Sequence, residues 1–184
     1  FQFYDASLDE VLPIGSTYSF ENNQIVADII TPYDFYVQND VDLVLDLLPG
    51  WNWISFNVEL EDNSVNTILG GLGDAAEFIN SQSSGISTNY GENGWFGGLE
   101  ELTPKAMYKL KMLEAATLTI TGAPIDVDNT PIALLTGWNW IGYLPQNPGD
   151  VTTAFSNLGS SAVFVNSQAS GISTNYGEVN GWFG

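Results

Sequence analysis

Alternating apolar and polar positions recur along this chain and predict strands rather than long helices. Residues 51–58 alternate with period two and are rich in aromatic and β-branched side chains, a pattern typical of a half-buried strand. The same reasoning predicts strands at residues 75–81, 108–112, 117–121 and 162–167, with a short extended piece at residues 94–97. Most of the regular structure is therefore expected to be β.

Two short helices are predicted by capping side chains that precede spaced apolar residues. Residues 62–64 offer an N-cap to a helix over residues 65–69, which consecutive glycines end. Residues 148–150 offer an N-cap to a helix over residues 151–158, which Gly159 ends. Because the helices are few and short, parallel βαβ winding is disfavoured. The predicted fold is mainly β, with tandem small β-rich modules that each carry one short α-helix.

The chain repeats itself, and the repeat is its most informative feature. The sequence Gly-Trp-Asn-Trp-Ile occurs at residues 50–54 and again at residues 137–141. Residues 78–97 recur as residues 164–184 with one inserted residue, and 18 of the 20 aligned positions are identical. We call these two closely matching stretches the repeated block.

A fainter match relates the beginning of the chain to the middle of the repeat. Leu8, Pro13, Tyr18 and Phe20 align with Leu99, Pro104, Tyr108 and Leu110, allowing one residue of slippage. Residues 1–49 therefore look like the second half of a module, residues 50–136 like a complete module, and residues 137–184 like the first half of another.

Three explanations of this half, whole, half layout are open. The chain is a fragment of a longer array, or residues 1–49 fold back on residues 137–184 within one molecule. Alternatively, the N-terminal half-module of one chain completes the C-terminal half-module of the next, which supplies strands in trans and builds filaments or lattices. A half-module leaves strand edges unpaired and the faces of Trp138, Trp140 and Trp182 uncovered, so another segment is expected to cover them.

Composition excludes several classes of function. The chain has 22 acidic residues and 3 basic ones, a net charge of −19, and no histidine, arginine or cysteine. Nucleophile systems built on histidine or cysteine, zinc sites of the usual ligands and iron–sulfur clusters are therefore excluded. Nucleic acid is not an expected partner, because nearly the whole surface would repel it.

Neither a membrane span nor an active site is expected. No apolar stretch approaches the roughly 20 residues that a membrane-spanning helix needs. A pair of carboxylates would suffice for glycoside hydrolysis, but only Glu92 and its copy Glu178 fall within the repeated block. The chain starts with Phe1, without a signal-peptide pattern, and is expected to be a processed product or a fragment.

Polar residues of the repeated block are candidates for a binding or assembly surface. Their amides and hydroxyl groups suit sugar hydroxyls, and a tryptophan there could stack on a pyranose ring; in the alternative interpretation they satisfy the backbone of their own loop. The candidates are Asn80, Gln82, Asn89, Tyr90 and Trp95, with their copies Asn166, Gln168, Asn175, Tyr176 and Trp182.

Two further groups of residues each have two interpretations. Trp51 and Trp53 share one face of a predicted strand, where they form either an aromatic platform for carbohydrate or, as the sequence favours, a core anchor. Asp126, Asp128 and Asn129 place oxygen ligands at alternate loop positions, as a Ca²⁺ site requires, although the glycine and glutamate of an EF-hand loop are missing. The alternative there is a solvated acidic surface.

The order of these motifs resembles a known tandem module. Gly-Trp-Asn-Trp-Ile, an N-capped short helix, Ser-Gln, Gly-Trp-Phe-Gly and a Tyr-Lys-Leu-Lys strand are similar to repeats in secreted and surface proteins of Bacteroidetes-type and marine bacteria, with algal relatives. Residues 104–108 depart from the glycine-rich turn of that family. The resemblance covers most of residues 50–184 and implies an extracellular or cell-surface location and a modular array, without catalytic residues.

Together these features predict a non-enzymatic, extracellular or surface repeat protein that associates with itself. The runner-up is a carbohydrate-binding or adhesive module, with a polysaccharide as partner. Like-charged chains can pair only where charge is sparse. The least charged stretches are residues 80–97 and 166–184, which carry one glutamate each.

Overall fold

The computed structural model describes residues 3–5, 9–12, 40–59, 62–177 and 180–184. At the N-terminus, β1 (Phe3–Asp5) and β2 (Glu10–Leu12) form an antiparallel pair. Most of the predicted N-terminal half-module, including Leu8, Pro13, Tyr18 and Phe20, lies outside the described residues.

Short strands dominate the described part of the chain, and the predicted mainly β fold is confirmed. The α-helices are α1 (Val65–Leu69) and α2 (Val151–Ala154). There are also 3-10 turns at Gly70–Ala75, Gly91–Asn93 and Ser156–Ser161. The remaining strands are β3 (Val41–Leu47), β4 (Gly50–Ile54), β5 (Val58–Glu59), β6 (Ala76–Asn80), β7 (Ile86–Asn89), β8 (Trp95–Gly97), β9 (Tyr108–Met112), β10 (Ala116–Pro124), β11 (Phe164–Ser167), β12 (Gly171–Asn175) and β13 (Trp182–Phe183).

Two antiparallel sheets and α1 enclose the main hydrophobic core. One sheet has the strand order β4-β9-β6-β7-β8, and the other has the order β3-β10-β5. Strands of both sheets turn alternate side chains inward, and α1 adds Leu69, so that the buried residues form one cluster. The fully buried Leu110 of β9 and Ile79 of β6 are neighbours in the first sheet.

The structural unit begins earlier than the sequence repeat. Strand β3, which the repeat assigns to the N-terminal half-module, pairs along its whole length with β10, from Val41 opposite Gly122 to Leu47 opposite Ala116. Ile125 then closes the unit by donating its backbone N–H to the Asn57 carbonyl. We therefore call residues 41–125 the complete unit and residues 137–184 the incomplete unit.

The incomplete unit repeats the local structure of the complete one on a smaller sheet. Its described strands form a three-stranded sheet in the order β11-β12-β13. The Asp150 side chain accepts a hydrogen bond from Thr153 N at the start of α2, as the Ser64 side chain does from Thr67 N at the start of α1. Helix α1 has the predicted bounds, whereas α2 ends at Ala154, short of the predicted residue 158, because the chain tightens there into a 3-10 turn.

Two expectations from the sequence are wrong. The polar stretch that reads as a long loop contains β7 in one copy and β12 in the other; its serines and threonines still alternate, and Ser87 points inward to donate to the Leu99 carbonyl. The preference for Trp51 as a core anchor also fails, because its side chain lies on the outer face and is 43% exposed. The inward position belongs to Asn52, which bonds to the backbone of Leu48.

No helix within the described ranges is both long and apolar enough to cross a membrane.

Candidate functional site

Two of the candidate amides are structural parts of their own units. Asn89 Nδ2 donates to the carbonyls of Gly73 and Ala76 at 2.6 and 2.8 Å, and Asn89 Oδ1 accepts from Gly91 N at 3.0 Å. Asn175 repeats all three bonds in the incomplete unit, with two distances unchanged and the third 2.9 Å. Each asparagine ties the end of a strand to the 3-10 turn, so its amide is already occupied by the backbone.

The candidate aromatic residues divide into buried and exposed ones. Trp95 is only 4% exposed and belongs to the core, whereas its copy Trp182 is half-buried and packs against Phe155 at 5.5 Å between ring centroids. Tyr90 is exposed and contacts the exposed Phe96 edge to face. Tyr176 makes the corresponding contact with its own exposed phenylalanine, so an aromatic pair lies on the surface of both units.

The remaining candidate amides behave differently from the structural pair. Asn80 is half-buried on the outer face of β6, and its copy Asn166 is exposed on β11. Gln82 reaches out of the complete unit altogether. Its Nε2 donates to the Trp138 carbonyl at 2.6 Å, and its Oε1 accepts from Trp140 N at 2.7 Å.

Gln168 of the incomplete unit makes the same contact with the complete unit. Its Nε2 donates to the Trp51 carbonyl at 2.5 Å, and its Oε1 accepts from Trp53 N at 2.6 Å. A glutamine amide carries the donor and acceptor of a peptide group, so each side chain stands in for one residue of a neighbouring strand along an edge of the other unit. We call this reciprocal contact the glutamine clasp. It has the form that a two-fold axis generates, in which each partner offers the same surface.

Lys109 reinforces the clasp on one side. Lys109 Nζ lies 5.0 Å from the ring centroid of Trp53 and 4.4 Å from that of Trp140, so one cation serves an indole of each unit. Beside it, Ala106 pairs with Ile141 in an antiparallel bridge. The sequence signal for this site was the confinement of all three lysines to residues 105–111, which the repeat comparison did not use.

A gap borders residues 137–141 of the incomplete unit on the edge that Gln82 does not contact. In the complete unit, β9 runs between β4 and β6, and Trp51 meets Phe78 above it with ring centroids 5.1 Å apart. In the incomplete unit, Trp138 meets Phe164 in the same edge-to-face manner at 4.9 Å. The incomplete unit therefore keeps the aromatic contact that spans β9 in the complete unit, although no described strand lies between residues 137–141 and β11. We call the space between them the slot.

Side chains that line the slot and the core beneath it are incompletely covered. Val165, the counterpart of the fully buried Ile79, is half-buried, and Phe164 is exposed. Five further side chains are half-buried, although all five of their counterparts in the complete unit are buried: Ile141, Val151, Phe155, Leu158 and Trp182. The described residues place no strand against the free edge of β11. The incomplete unit thus presents an unpaired edge next to apolar side chains.

The two outer faces of the complete unit differ sharply in chemistry. The strand register places two neighbouring rows of side chains across the five-stranded sheet, and neither row contains a carboxylate. The first row is Trp51, Lys111, Phe78, Thr88 and Phe96, and the second is Trp53, Lys109, Asn80 and Ile86. The outer face of β3 and β10 is acidic, since Asp42 and Asp46 accept hydrogen bonds from Thr121 and Thr117. We call the first surface the aromatic face.

The predicted calcium ligands form a local turn. Asn129 Nδ2 donates to Asp126 Oδ2 at 2.7 Å, and this bond is the main cause that lowers the pKa of Asp126. The asparagine thus turns its amide nitrogen, rather than an oxygen, toward the carboxylate. Asp128 is exposed, and within the described ranges no group of three or more acidic residues is arranged to hold a metal ion.

Comparison with protein-family models, with curated proteins and with solved structures found no match to this chain. The resemblance to tandem Gly-Trp-Asn modules stays a prediction, and the clasp, the slot and the aromatic face are the features of the molecule that bear on its function.

Proposed function

We propose that this chain is a non-enzymatic structural repeat protein of the extracellular or cell-surface kind. Its incomplete unit takes up strands from another copy, so that chains associate head-to-tail into a filament or lattice, or join as parts of a longer surface array. The slot is the single observation that carries this proposal. It combines an unpaired strand edge with apolar side chains that a strand would cover.

The complete unit shows what the slot gains when it is filled. There β9 contributes three side chains that are almost wholly buried, Tyr108, Leu110 and Met112. Burial of such a side chain contributes roughly 1.5–3 kcal/mol. Backbone bonding on both flanks adds to this, because β9 pairs with β4 and with β6. A strand entering the slot from another copy would make the corresponding contacts, which is the physical basis of strand addition.

The direction of association follows from which surfaces are already used. The glutamine clasp is reciprocal and is satisfied within one chain, so it does not propagate. The slot is different, because its complement is the second half of a module, and the sequence places that half at the other end of the chain. Contacts between unlike surfaces extend from copy to copy unless the rotation between copies closes a ring.

Charge sets the conditions under which copies can meet. Each chain carries a net charge of −19, so dilute, low-salt solutions oppose association. The side chains that line the slot are uncharged, and salt screens the repulsion between the remaining surfaces over a Debye length of about 8 Å at physiological ionic strength. We therefore expect association to increase with ionic strength.

Light scattering coupled to size exclusion, followed by electron microscopy, tests the proposal. We expect mass to grow with protein concentration and with salt. Val165→Asp should abolish growth, because it places a carboxylate where the fully buried Ile79 lies in the complete unit. Val163→Glu is the matched control, since the complete unit has Glu77 at that position and still accommodates β9. Monodisperse monomers under every condition would eliminate the proposal.

The aromatic face favours a second candidate function, carbohydrate binding. A surface with three exposed aromatic side chains, Trp51, Tyr90 and Phe96, and no carboxylate among its strand positions stands out on so acidic a chain. Aromatic rings stack on the apolar faces of pyranoses, and the neighbouring Asn80 and Thr88 offer hydrogen bonds to hydroxyl groups.

Sedimentation with insoluble polysaccharides and a glycan array test this second candidate. Retention on a neutral polysaccharide should fall at least tenfold in Trp51→Ala/Phe96→Ala, and should stay unchanged in Val44→Ala, an exposed position on the acidic face. Failure of every glycan to retain the unmodified chain would remove carbohydrate binding and leave self-association untouched.

A further inference from the structure

We infer that residues 18–22 of a second copy fill the slot, with Ser19 opposite Asn166 and Glu21 opposite Phe164. This inference rests on the proposed function and specifies its partner. Tyr18 and Phe20 align with Tyr108 and Leu110. These are two of the three almost wholly buried side chains of β9, and the third is Met112.

The register follows from the pairing of β9 in the complete unit. Lys109 lies opposite Trp53 on one side and Asn80 on the other. Lys111 lies opposite Trp51 and Phe78. Transferred to the incomplete unit, these positions put residue 19 between Trp140 and Asn166, and residue 21 between Trp138 and Phe164.

The lysine at the clasp explains why the occupant is this segment rather than β9 of another copy. Lys109 already shares its charge between Trp53 and Trp140, which are exchanged by the two-fold relation of the clasp. A strand with lysine at the same position would bring a second cation to the same two rings, where like charges repel. The chain has Ser19 at that position, which leaves the single cation undisturbed.

The same two-fold relation predicts that the incoming segment touches both units. Ahead of β9, Met107 N donates to the Trp140 carbonyl and Gly142 N donates to the Lys105 carbonyl, so the approach to β9 is bonded to the other unit. When the two-fold relation is applied to these two bonds, the residues before Tyr18 are expected to bond to the backbone of Trp53 and Ser55 in the complete unit. The clasp therefore holds in place a second surface for the incoming strand, next to the slot.

Engineered cysteines test the register cleanly, because the chain has none of its own. Ser19→Cys and Asn166→Cys are made in separate full-length chains, mixed under associating conditions and oxidised. We expect a disulfide-linked dimer on a non-reducing gel. The control pair is Asn22→Cys with Asn166→Cys, which is three positions out of register and should form at least fivefold less product. Equal yields from the two pairs would overturn the inferred register.

The outcomes separate this inference from the proposed function. Growth in mass without a Ser19–Asn166 cross-link overturns the inferred occupant and leaves self-association standing. A third variant carries both Ser19→Cys and Asn166→Cys in one chain. A cross-link that forms only within single copies of this variant, without growth in mass, shows completion within one molecule and overturns both the second copy and the head-to-tail function. Neither growth nor cross-link overturns both.

A charge reversal gives an independent readout that needs no cross-link. Glu21→Lys should reproduce the contact in which Lys111 Nζ lies 5.7 Å from the ring centroid of Trp51, now with Trp138. We expect the concentration at which chains associate to fall about 2- to 5-fold beyond the effect of charge alone. Asp40→Lys is the control, because it makes the same change in net charge at an exposed position outside the slot. An equal shift in both variants would contradict the assignment of residue 21.

Discussion

The complete and incomplete units carry the repeated block in nearly the same sequence, but it is packed very differently in the two. Locally they agree: Gly73 and Gly159 take the same left-handed conformation, with φ of 50° and 51°, inside the 3-10 turns. Their cores differ, since Ile79 is fully buried whereas Val165 is half-buried. Local hydrogen bonds therefore form from the block alone, and burial requires strands from elsewhere in the chain.

The missing strands explain this difference in burial. In the complete unit, β9 runs through the middle of one sheet, and β10 joins β3 to β5 in the other. The segment that would correspond to β3 in the incomplete unit, residues 128–134, lies in no strand, and the described residues supply no partner equivalent to β10. A core formed by two layers cannot close when one layer is absent. Comparison of the two units thus distinguishes the local hydrogen bonds, which the repeated block forms by itself, from the burial of its core, which requires strands from other segments.

Substitution of the matching leucine in each unit should give the largest loss of stability and the largest difference between the two units. Leu72→Ala removes a side chain that is 6% exposed, and we expect a loss of about 2–5 kcal/mol in the free energy of unfolding. Leu158→Ala changes the half-buried counterpart and should cost about 1 kcal/mol or less in the monomer. Chemical denaturation measures both losses. Similar losses in dilute monomer would show that the incomplete unit already has a closed core.

Substitution of the structural asparagines should have the opposite outcome, with equal effects in both units. Asn89→Ala leaves the Gly73 and Ala76 carbonyls without their amide donor, and Asn175→Ala does the same to the matching carbonyls. We expect each variant to lose about 1–3 kcal/mol in local stability. Amide hydrogen exchange of β7 and β12 measures the two losses separately. A large effect confined to Asn89 would mean that these bonds depend on the surrounding core.

The sequence predicted much of the local structure and little of the contact between units. The positions of β9, β6 and both N-caps follow from period and capping chemistry, since neighbours in the chain decide them. β7 was missed because a strand with one isoleucine followed by serine, threonine and asparagine carries no apolar alternation. Pairing of β3 with β10 joins residues 69 to 81 positions apart, which no local pattern records.

The candidate site was predicted as a set of residues, not as an arrangement. Identity between copies pointed to Gln82 and Asn89 alike, yet one glutamine bonds to the other unit and the asparagine bonds to its own backbone. A repeat comparison cannot separate these roles, because both are preserved in each copy. Only the geometry of the partner carbonyls distinguishes them.

Removal of the glutamine clasp should separate the two units at a modest cost. Gln82→Ala removes bonds to Trp138 and Trp140 in an exposed setting, so we expect about 0.5–1.5 kcal/mol for each bond lost. Gln168→Ala should have the same effect, since it removes the reciprocal pair. A double-mutant cycle measured by thermal unfolding checks whether the two contacts act together. If the stability losses of Gln82→Ala and Gln168→Ala simply added in the double variant, the two contacts would not belong to a single two-fold interface.

The smallest expected effect is a pH response at the start of α1 in the complete unit. A bond from Thr67 Oγ1, followed by one from Ser64 N, holds the pKa of Asp62 below its ordinary value of 3.8. A carboxylate with a lowered pKa stabilises the fold above the unfolded value and loses this contribution as pH falls through the folded one. NMR titration of the Ser64 amide should therefore show a step below pH 4 that Asp62→Asn removes. A step of the same size that persists in Asp62→Asn would refute its assignment to this carboxylate.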